Sequence, residues 1–503
     1  MLNPSTASVI VIGGGLAGCT AALALARSGR TVTLVESKTR LGGRAGSYTD
    51  QASGQSIDYC QHVGMVCCTA LQQLISWLDQ RDEWHVQREL FFYGPTGQAQ
   101  TLRALPYLPA PAHLLGWLLR WPGLKVWERL RIAQAMMALN RIALPSSSYG
   151  LSGKEEGCET LSNDRQALSL DQQSALQWLT ARGQSPAALE RFWSTIIVSA
   201  LGEELSRVSL SAMVQLFQDG FLRRRDAYQL LIPKRPLDEL FGTRFHQALV
   251  AAGVNVRTGS GVQRLHWEGA NCRSVTLLDG THCSADRYVM AVPWHAVERL
   301  VADCPDESLR RVGSDAGQLQ ASPISGVHTW WDRPWLPTPH AVLVDRLCQW
   351  IFAKPESYWP ATRPLYDSNT ANETADVLPS RVETSQAPRH ASETYYQIVI
   401  SASRMLPRGD GAAVRRLIEE DLRAVFPAAR SANLLRIKVV TDPQAVFSIA
   451  PGTMRLRPHC SATRGNLYWA GDWVRTGWPS TMESAVRSGI EAARVIVQSP
   501  RSR

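Results

Sequence analysis

Ser8-Val9-Ile10-Val11-Ile12 runs directly into Gly13-Gly14-Gly15-Leu16-Ala17-Gly18, and Thr31-Val32-Thr33-Leu34-Val35-Glu36 follows after a helical stretch closed by Gly29. The first run is short, apolar and β-branched, the pattern of a buried parallel strand. The glycine run is a GxGxxG, which lets the backbone turn tightly and approach a pyrophosphate at a helix N-terminus. Ala21 to Arg27 has helical composition, and the second strand ends in an acid. Strand, helix, strand and acid in register make a complete βαβ dinucleotide-binding unit. Glu36 is placed to accept hydrogen bonds from ribose hydroxyls, and its charge repels a 2′-phosphate. Leu16, Ala17 and Ser37 sit beside these glycines and this acid and belong to the same expected contact surface.

Glu36 is followed by five residues and then Gly42-Gly43-Arg44. This spacing resembles the extended fingerprint of FAD enzymes in the amine oxidase and phytoene desaturase superfamily. An Arg just past the second strand adds charge near a diphosphate, and two glycines let the chain pass close to a flavin. Asp58-Tyr59-Cys60-Gln61-His62 narrows the resemblance to the hydroxysqualene dehydroxylase family, whose members carry Asp-Asn-Gly-Gln-His here. Tyr59 and Cys60 stand where that family has Asn and Gly. Near the end, Ala470-Gly471-Asp472-Trp473 and Thr476-Gly477-Trp478-Pro479-Ser480-Thr481-Met482-Glu483 are similar to the same family. The resemblance implies that Gly471 and Asp472 meet the ribityl or pyrophosphate part of FAD. It places Ser480, Thr481 and Met482 at the flavin's pyrimidine edge. Gln61 and His62 are implied flavin neighbours, although His62 reads equally as a polar support of its loop. Ser480 to Glu483 also has the order of a capping box.

The resemblance implies an α/β fold, a Rossmann-like FAD-binding domain interleaved with an α+β substrate domain. The FAD-binding parts are expected at 1–90, 240–310 and 440–503, and the substrate parts at 91–239 and 311–439. A helix is expected over Leu237 to Ala252, followed by strands at 253–257, from Gly261, at 275–278 and at 287–293. The resemblance puts Val262 against adenine. Gly259-Ser260-Gly261 is not a second dinucleotide site, because strand-like sequence follows it. No NAD(P)H domain is visible, which points to an external electron donor or flavin reductant. Leu102 to Leu144, rich in Leu, Trp and Arg, reads as core, with a peripheral membrane contact as the alternative. Trp117, Trp121, Trp127 and Trp193 fall in this expected substrate domain, suited to an apolar tunnel. Polar stretches at 145–169 and 360–393 read as surface insertions, the second as mobile. A strand is expected at 395–401 and a helix at 412–425.

The composition excludes other classes. Of the 53 basic residues six are Lys, the net charge is +9, and the longest basic run is Arg223-Arg224-Arg225. That is no clustered footprint for nucleic acid. Ten Cys in 503 residues, without a CxxC, give neither a disulfide scaffold nor a metal site. No basic residue precedes the apolar N-terminal run, so it is not a signal peptide, and no stretch is long and apolar enough to span a membrane. The expected location is cytoplasmic, with peripheral membrane attachment open.

The implied activity is reductive dehydroxylation of hydroxysqualene to squalene, in hopanoid or squalene biosynthesis, on a hydrophobic isoprenoid substrate. Such chemistry needs a proton for the leaving hydroxyl. His62, Asp58 and Tyr59 are the candidate donors, with Asp226 and Tyr228 as more distant ones. The competing enzyme readings are a phytoene-type carotenoid desaturase and an amine oxidase, the latter needing a lysine such as Lys354 near the flavin. A non-catalytic flavoprotein partner in lipid synthesis is the reading from another class.

Overall fold

A computed structural model describes residues 7–52, 54–144, 159–353, 393–461 and 465–499. Its centre is a five-stranded parallel sheet ordered Asn255–Arg257, Thr31–Val35, Ser8–Ile12, Arg287–Met290 and Leu467–Trp469. Val9 to Ile12 and all of Arg287–Met290 are buried, as strands covered on both faces must be. The expected βαβ unit is present as β1 (Ser8–Ile12), α1 (Leu16–Arg27) and β2 (Thr31–Val35). The C-terminal helix Met482–Gln498 packs along α1. A Cβ on Gly489 would collide with the carbonyl of Ala17, so the two backbones meet closely there.

A second sheet has seven mixed strands. Leu434–Phe447, Ala321–Trp331 and Thr394–Ser401 pair antiparallel at one side, and Trp350–Ala353, His340–Leu343, Leu90–Tyr93 and Ala99–Leu102 continue it. Leu434–Phe447 is one unbroken strand, so residues 440–447 belong to this sheet and not to the FAD-binding part beginning at 440. The helix expected over 237–252 starts with a wide turn at Asp238–Thr243 and continues as Arg244–Ala251. The helix expected at 412–425 is Gly411–Val425, capped by Asp410. Within the first expected polar insertion, Glu159–Asp171 is helical. The rest of that insertion, nearly all of the second, and Lys354 lie outside the described residues.

Of the tryptophans expected to line a tunnel or a membrane-facing surface, Trp117, Trp121 and Trp193 are buried. They pack against Phe192 at centroid distances of 4.9 to 5.7 Å, Trp121 and Trp193 edge to face and Trp117 tilted. Such aromatic pairs belong to a packed core. Trp127 lies at the surface.

The capping box expected at Ser480 forms differently. Thr481 is the cap, its Oγ1 accepting from the Ser484 N–H at 3.1 Å, while Ser480 Oγ donates to Asp472. Glu483, 1% exposed, reaches across the fold to accept from Ala70 N–H at 3.1 Å and Leu71 N–H at 2.8 Å. It thereby caps the helix Thr69–Trp77, and Arg487 balances its charge at 2.5 Å. Glu483→Ala removes the carboxylate from Arg487 and the acceptor from two helix-terminal N–H groups. The expected loss is about 3 kcal/mol of unfolding free energy, read by urea denaturation of the FAD-loaded protein.

Candidate cofactor and substrate cavity

The carboxyl ends of the parallel strands open onto a cavity of about 590 Å³, within the usual size range of ligand sites. At one end stands the glycine turn. Gly13 has φ +111°, a conformation that favours glycine. The Gly14 N–H donates to Glu36 Oε2 at 2.6 Å, and Lys38 N–H and Ser37 Oγ donate to Oε1 at 2.7 and 3.0 Å. A Cβ on Gly15 would meet nothing within 4 Å. Gly15 lines the cavity at the start of α1, and no side chain caps that helix. The open glycine and the uncapped helix terminus are the physical fit to a pyrophosphate. Gly13, Leu16, Ala17, Glu36, Ser37, Gly42, Gly43 and Val262 also line this end. Gly14 and Gly18 do not. Gly14 is pressed between Leu41 and Glu36, and a Cβ on Gly18 would strike the Gly13 carbonyl.

In the middle, Arg44 pairs with Asp472 at 2.5 Å and donates to the Ala445 carbonyl at 2.7 Å. Its guanidinium also lies 5.4 Å from the Trp294 ring centre. Arg44 thus joins the parallel sheet to the mixed sheet, and its charge is already matched by a carboxylate. Gly471, Ser480, Thr481 and Met482 complete this wall. Trp473 and Trp478, flanking the same loop, are buried beside it.

The loop 59–63 forms the far wall. It crosses the mixed sheet at Gly326, where a Cβ would strike the Tyr59 carbonyl. Tyr59 receives a hydrogen bond from Arg40 Nη2 at 3.4 Å. His62 Nδ1 lies 2.9 Å from the Cys60 carbonyl. That carbonyl can only accept, so Nδ1 carries the proton. Burial pulls the His62 pKa below its usual value, so the ring is neutral at pH 7 and its Nε2 is an acceptor. In this state His62 is no proton donor, contrary to the expectation from sequence.

Asp58 does not line the cavity. Its Oδ1 accepts from Ser47 Oγ at 2.6 Å and from Leu237 N–H at 2.8 Å. These bonds hold the hairpin 47–58 against the turn at 238. The more distant donors are also elsewhere. Asp226 pairs with Arg224, and the Tyr228 hydroxyl accepts from the Ala104 N–H. Sequence reading missed the opposite wall, made of Ser199 to Gly202 with Ile324, Val399, Val440 and Val446. Ala321–Trp331 is buried on both faces, so no alternation marks which side faces a ligand. Among the described residues the lining holds a single lysine, Lys38, at the glycine-turn end.

The sequence profile of flavin containing amine oxidoreductases matches residues 16–497. The chain is 24% identical to 15-cis-phytoene desaturase of Synechococcus elongatus, over 97% of this chain and 95% of that one. It is 22% identical to hydroxysqualene dehydroxylase of Zymomonas mobilis, over 96% and 97%. The fold matches cyclohexylamine oxidase of Brevibacterium oxydans with a TM-score of 0.65 at 17% identity, covering 98% of this chain and 99% of that one.

Burial raises the Asp58 pKa to about 6, above the usual carboxylate value of about 4. The folded state therefore holds the proton more tightly, and Asp58 makes stability fall as pH rises from about 4 to about 6. Asp58→Asn keeps an acceptor for Ser47 and Leu237. Melting temperatures across this window are expected to lose that fall, while flavin absorbance at pH 7 stays unchanged.

Proposed function

Because the chain belongs to the flavin containing amine oxidoreductase family, we propose that this FAD-dependent oxidoreductase acts on a long isoprenoid. The reaction is reductive dehydroxylation of hydroxysqualene to squalene. FAD, when bound, supplies the hydride for this chemistry. The uncapped start of α1 and Gly15 would hold its pyrophosphate, Glu36 its ribose, and Asp472 with the start of the helix Met482–Gln498 its far end.

The observation that carries this reading is the composition of the wall opposite the loop 59–63. Leu201, Ile324, Val399, Val440 and Val446 make it largely aliphatic, with Asp442 a carboxylate on the same strand as the last two, and Tyr59 and His62 line the cavity as well. An aliphatic wall suits an isoprenoid chain and excludes water from the reacting carbon. Loss of an allylic hydroxyl needs a proton on the departing oxygen. Tyr59 carries one, and Arg40, which donates to the same oxygen, stabilises the phenolate left behind. Neutral His62 can accept a hydrogen bond from the substrate hydroxyl through Nε2 and orient it. The electron donor is external, and the protein is proposed to work in the cytoplasm. Among the described residues no helix is long and apolar enough to cross a membrane.

Oxidative desaturation of a carotenoid precursor is the second reading, favoured by the similarity to phytoene desaturase. It has no leaving hydroxyl and no use for the Tyr59 proton. An amine oxidase is disfavoured, because the one lysine of the described lining, Lys38, stands beside the glycine turn at the nucleotide end.

Purified protein with reduced flavin is expected to convert hydroxysqualene to squalene, and with an electron acceptor to leave phytoene unchanged. The reverse pattern selects desaturation. Inactivity on both lipids with FAD bound selects a non-catalytic flavoprotein. Tyr59→Phe is expected to lower kcat about 100-fold with FAD retained, whereas His62→Gln is expected to act mainly on KM.

A further inference from the structure

The helix Val126–Arg141 is apolar on two sides. Ile132, Ala135, Met136 and Leu139 are buried against the helical core. Val126, Trp127, Leu130 and Met137 point outward, with Val126 64% and Leu130 53% exposed. One apolar face is enough to fold a surface helix, so the second has no role in folding. It continues onto the preceding segment. Leu115 and Leu119 are exposed there, and Tyr107 is 94% exposed. Arg129 donates to the Leu119 carbonyl at 2.5 Å and to the Trp121 carbonyl at 2.9 Å, bringing Leu119 beside the first turn of the helix. The Tyr107 loop is also fixed, since Arg225 donates to the carbonyls of Leu105 and Pro106.

The segment that carries this surface is charged almost entirely with one sign. Residues 103–141 contain Arg103, Arg120, Lys125, Arg129, Arg131 and Arg141, and a single acid, Glu128. Glu128 is buried and turned inward, accepting from Ser185 Oγ at 2.5 Å and Lys125 N–H at 2.7 Å. Arg103 pairs with Glu89. Among the described residues the other five cations form no ion pair with a carboxylate, and Arg129 and Arg131 donate to backbone carbonyls.

We propose that Tyr107, Leu119, Val126, Trp127 and Leu130, with their rim of Arg and Lys, form a docking surface for an anionic lipid bilayer. Apolar side chains enter the boundary between headgroups and acyl chains, and the cations remain with the lipid phosphates. The sign of the rim commits the surface to a negatively charged partner. A second copy of this chain would bring the same positive rim against itself, which is repulsive. The surface would hold the enzyme where an isoprenoid is dissolved, yet the inference does not depend on which isoprenoid that is.

The test is co-sedimentation of the FAD-loaded full chain with vesicles of phosphatidylcholine alone or with one third phosphatidylglycerol. Strong binding to the anionic vesicles, weakened by salt, is expected. Trp127→Glu with Leu130→Glu is expected to weaken it at least about ten-fold. Arg120→Glu with Lys125→Glu and Arg131→Glu is expected to abolish the preference for phosphatidylglycerol. Met405→Glu, on an exposed apolar residue elsewhere, is the control that keeps binding. Unchanged flavin absorbance and melting temperature show that each variant is folded. The proposal is overturned if the wild type fails to sediment, or if the apolar double variant binds as well as it does. It is equally overturned if light scattering shows a dimer that this variant dissociates. No substrate enters the assay, so its outcome is separate from that of the lipid turnover experiment.

Discussion

Strand β1 is bonded on one side to β2 and on the other to Arg287–Met290. Parallel neighbours cannot be joined by a tight turn, so the chain must leave the sheet and return. Here it leaves for long excursions, and the helical part and the mixed sheet are built during them. The last strand, Leu467–Trp469, closes the sheet only near the end of the chain. All five strands point one way, so their carboxyl ends, with Gly13, Glu36, Ala291 and Gly471, meet at one edge. That convergence creates the cavity, in the position where open α/β sheets bind ligands.

Two buried ionic contacts then hold the distant parts together. Arg44 and Asp472 join the second glycine turn to the closing strand's loop. Glu483 joins the C-terminal helix to the helix Thr69–Trp77. Both carboxylates are buried with their acceptor sites filled, the condition under which a buried charge is tolerated. Loss of Arg44 would leave the Asp472 carboxylate, which lines the cavity, without its ion pair.

The site's chemistry follows from which polar groups remain uncommitted. Asp58, the strongest acid of its segment by sequence, is engaged by Ser47 and Leu237. His62 is neutral and has donated its one proton to a carbonyl. The Tyr59 hydroxyl accepts from Arg40. Three residues that sequence treats as equal donors therefore stand in different hydrogen-bond surroundings, which for Asp58 include Leu237, distant in the chain.

The βαβ unit and the helix after Thr481 were legible in the sequence, because short-range geometry dictates them. A glycine turn, a β-branched run and a capping hydroxyl act within a few residues of themselves. The folded chain alone decided that Thr481, not Ser480, is the cap, because Ser480 is drawn to Asp472. It decided that residues 440–447 continue the mixed sheet, because strand pairing with residues 321–331 is long-range. Apolar spacing over 102–144 could not by itself separate core from surface, since exposed Leu115 and Leu119 alternate with buried Trp117 and Leu118 in one apolar run. Packing placed Trp117 and Trp121 inside with Phe192 and left Trp127 facing out among cations. A side chain's burial depends on what the rest of the chain brings against it, and that information is not local.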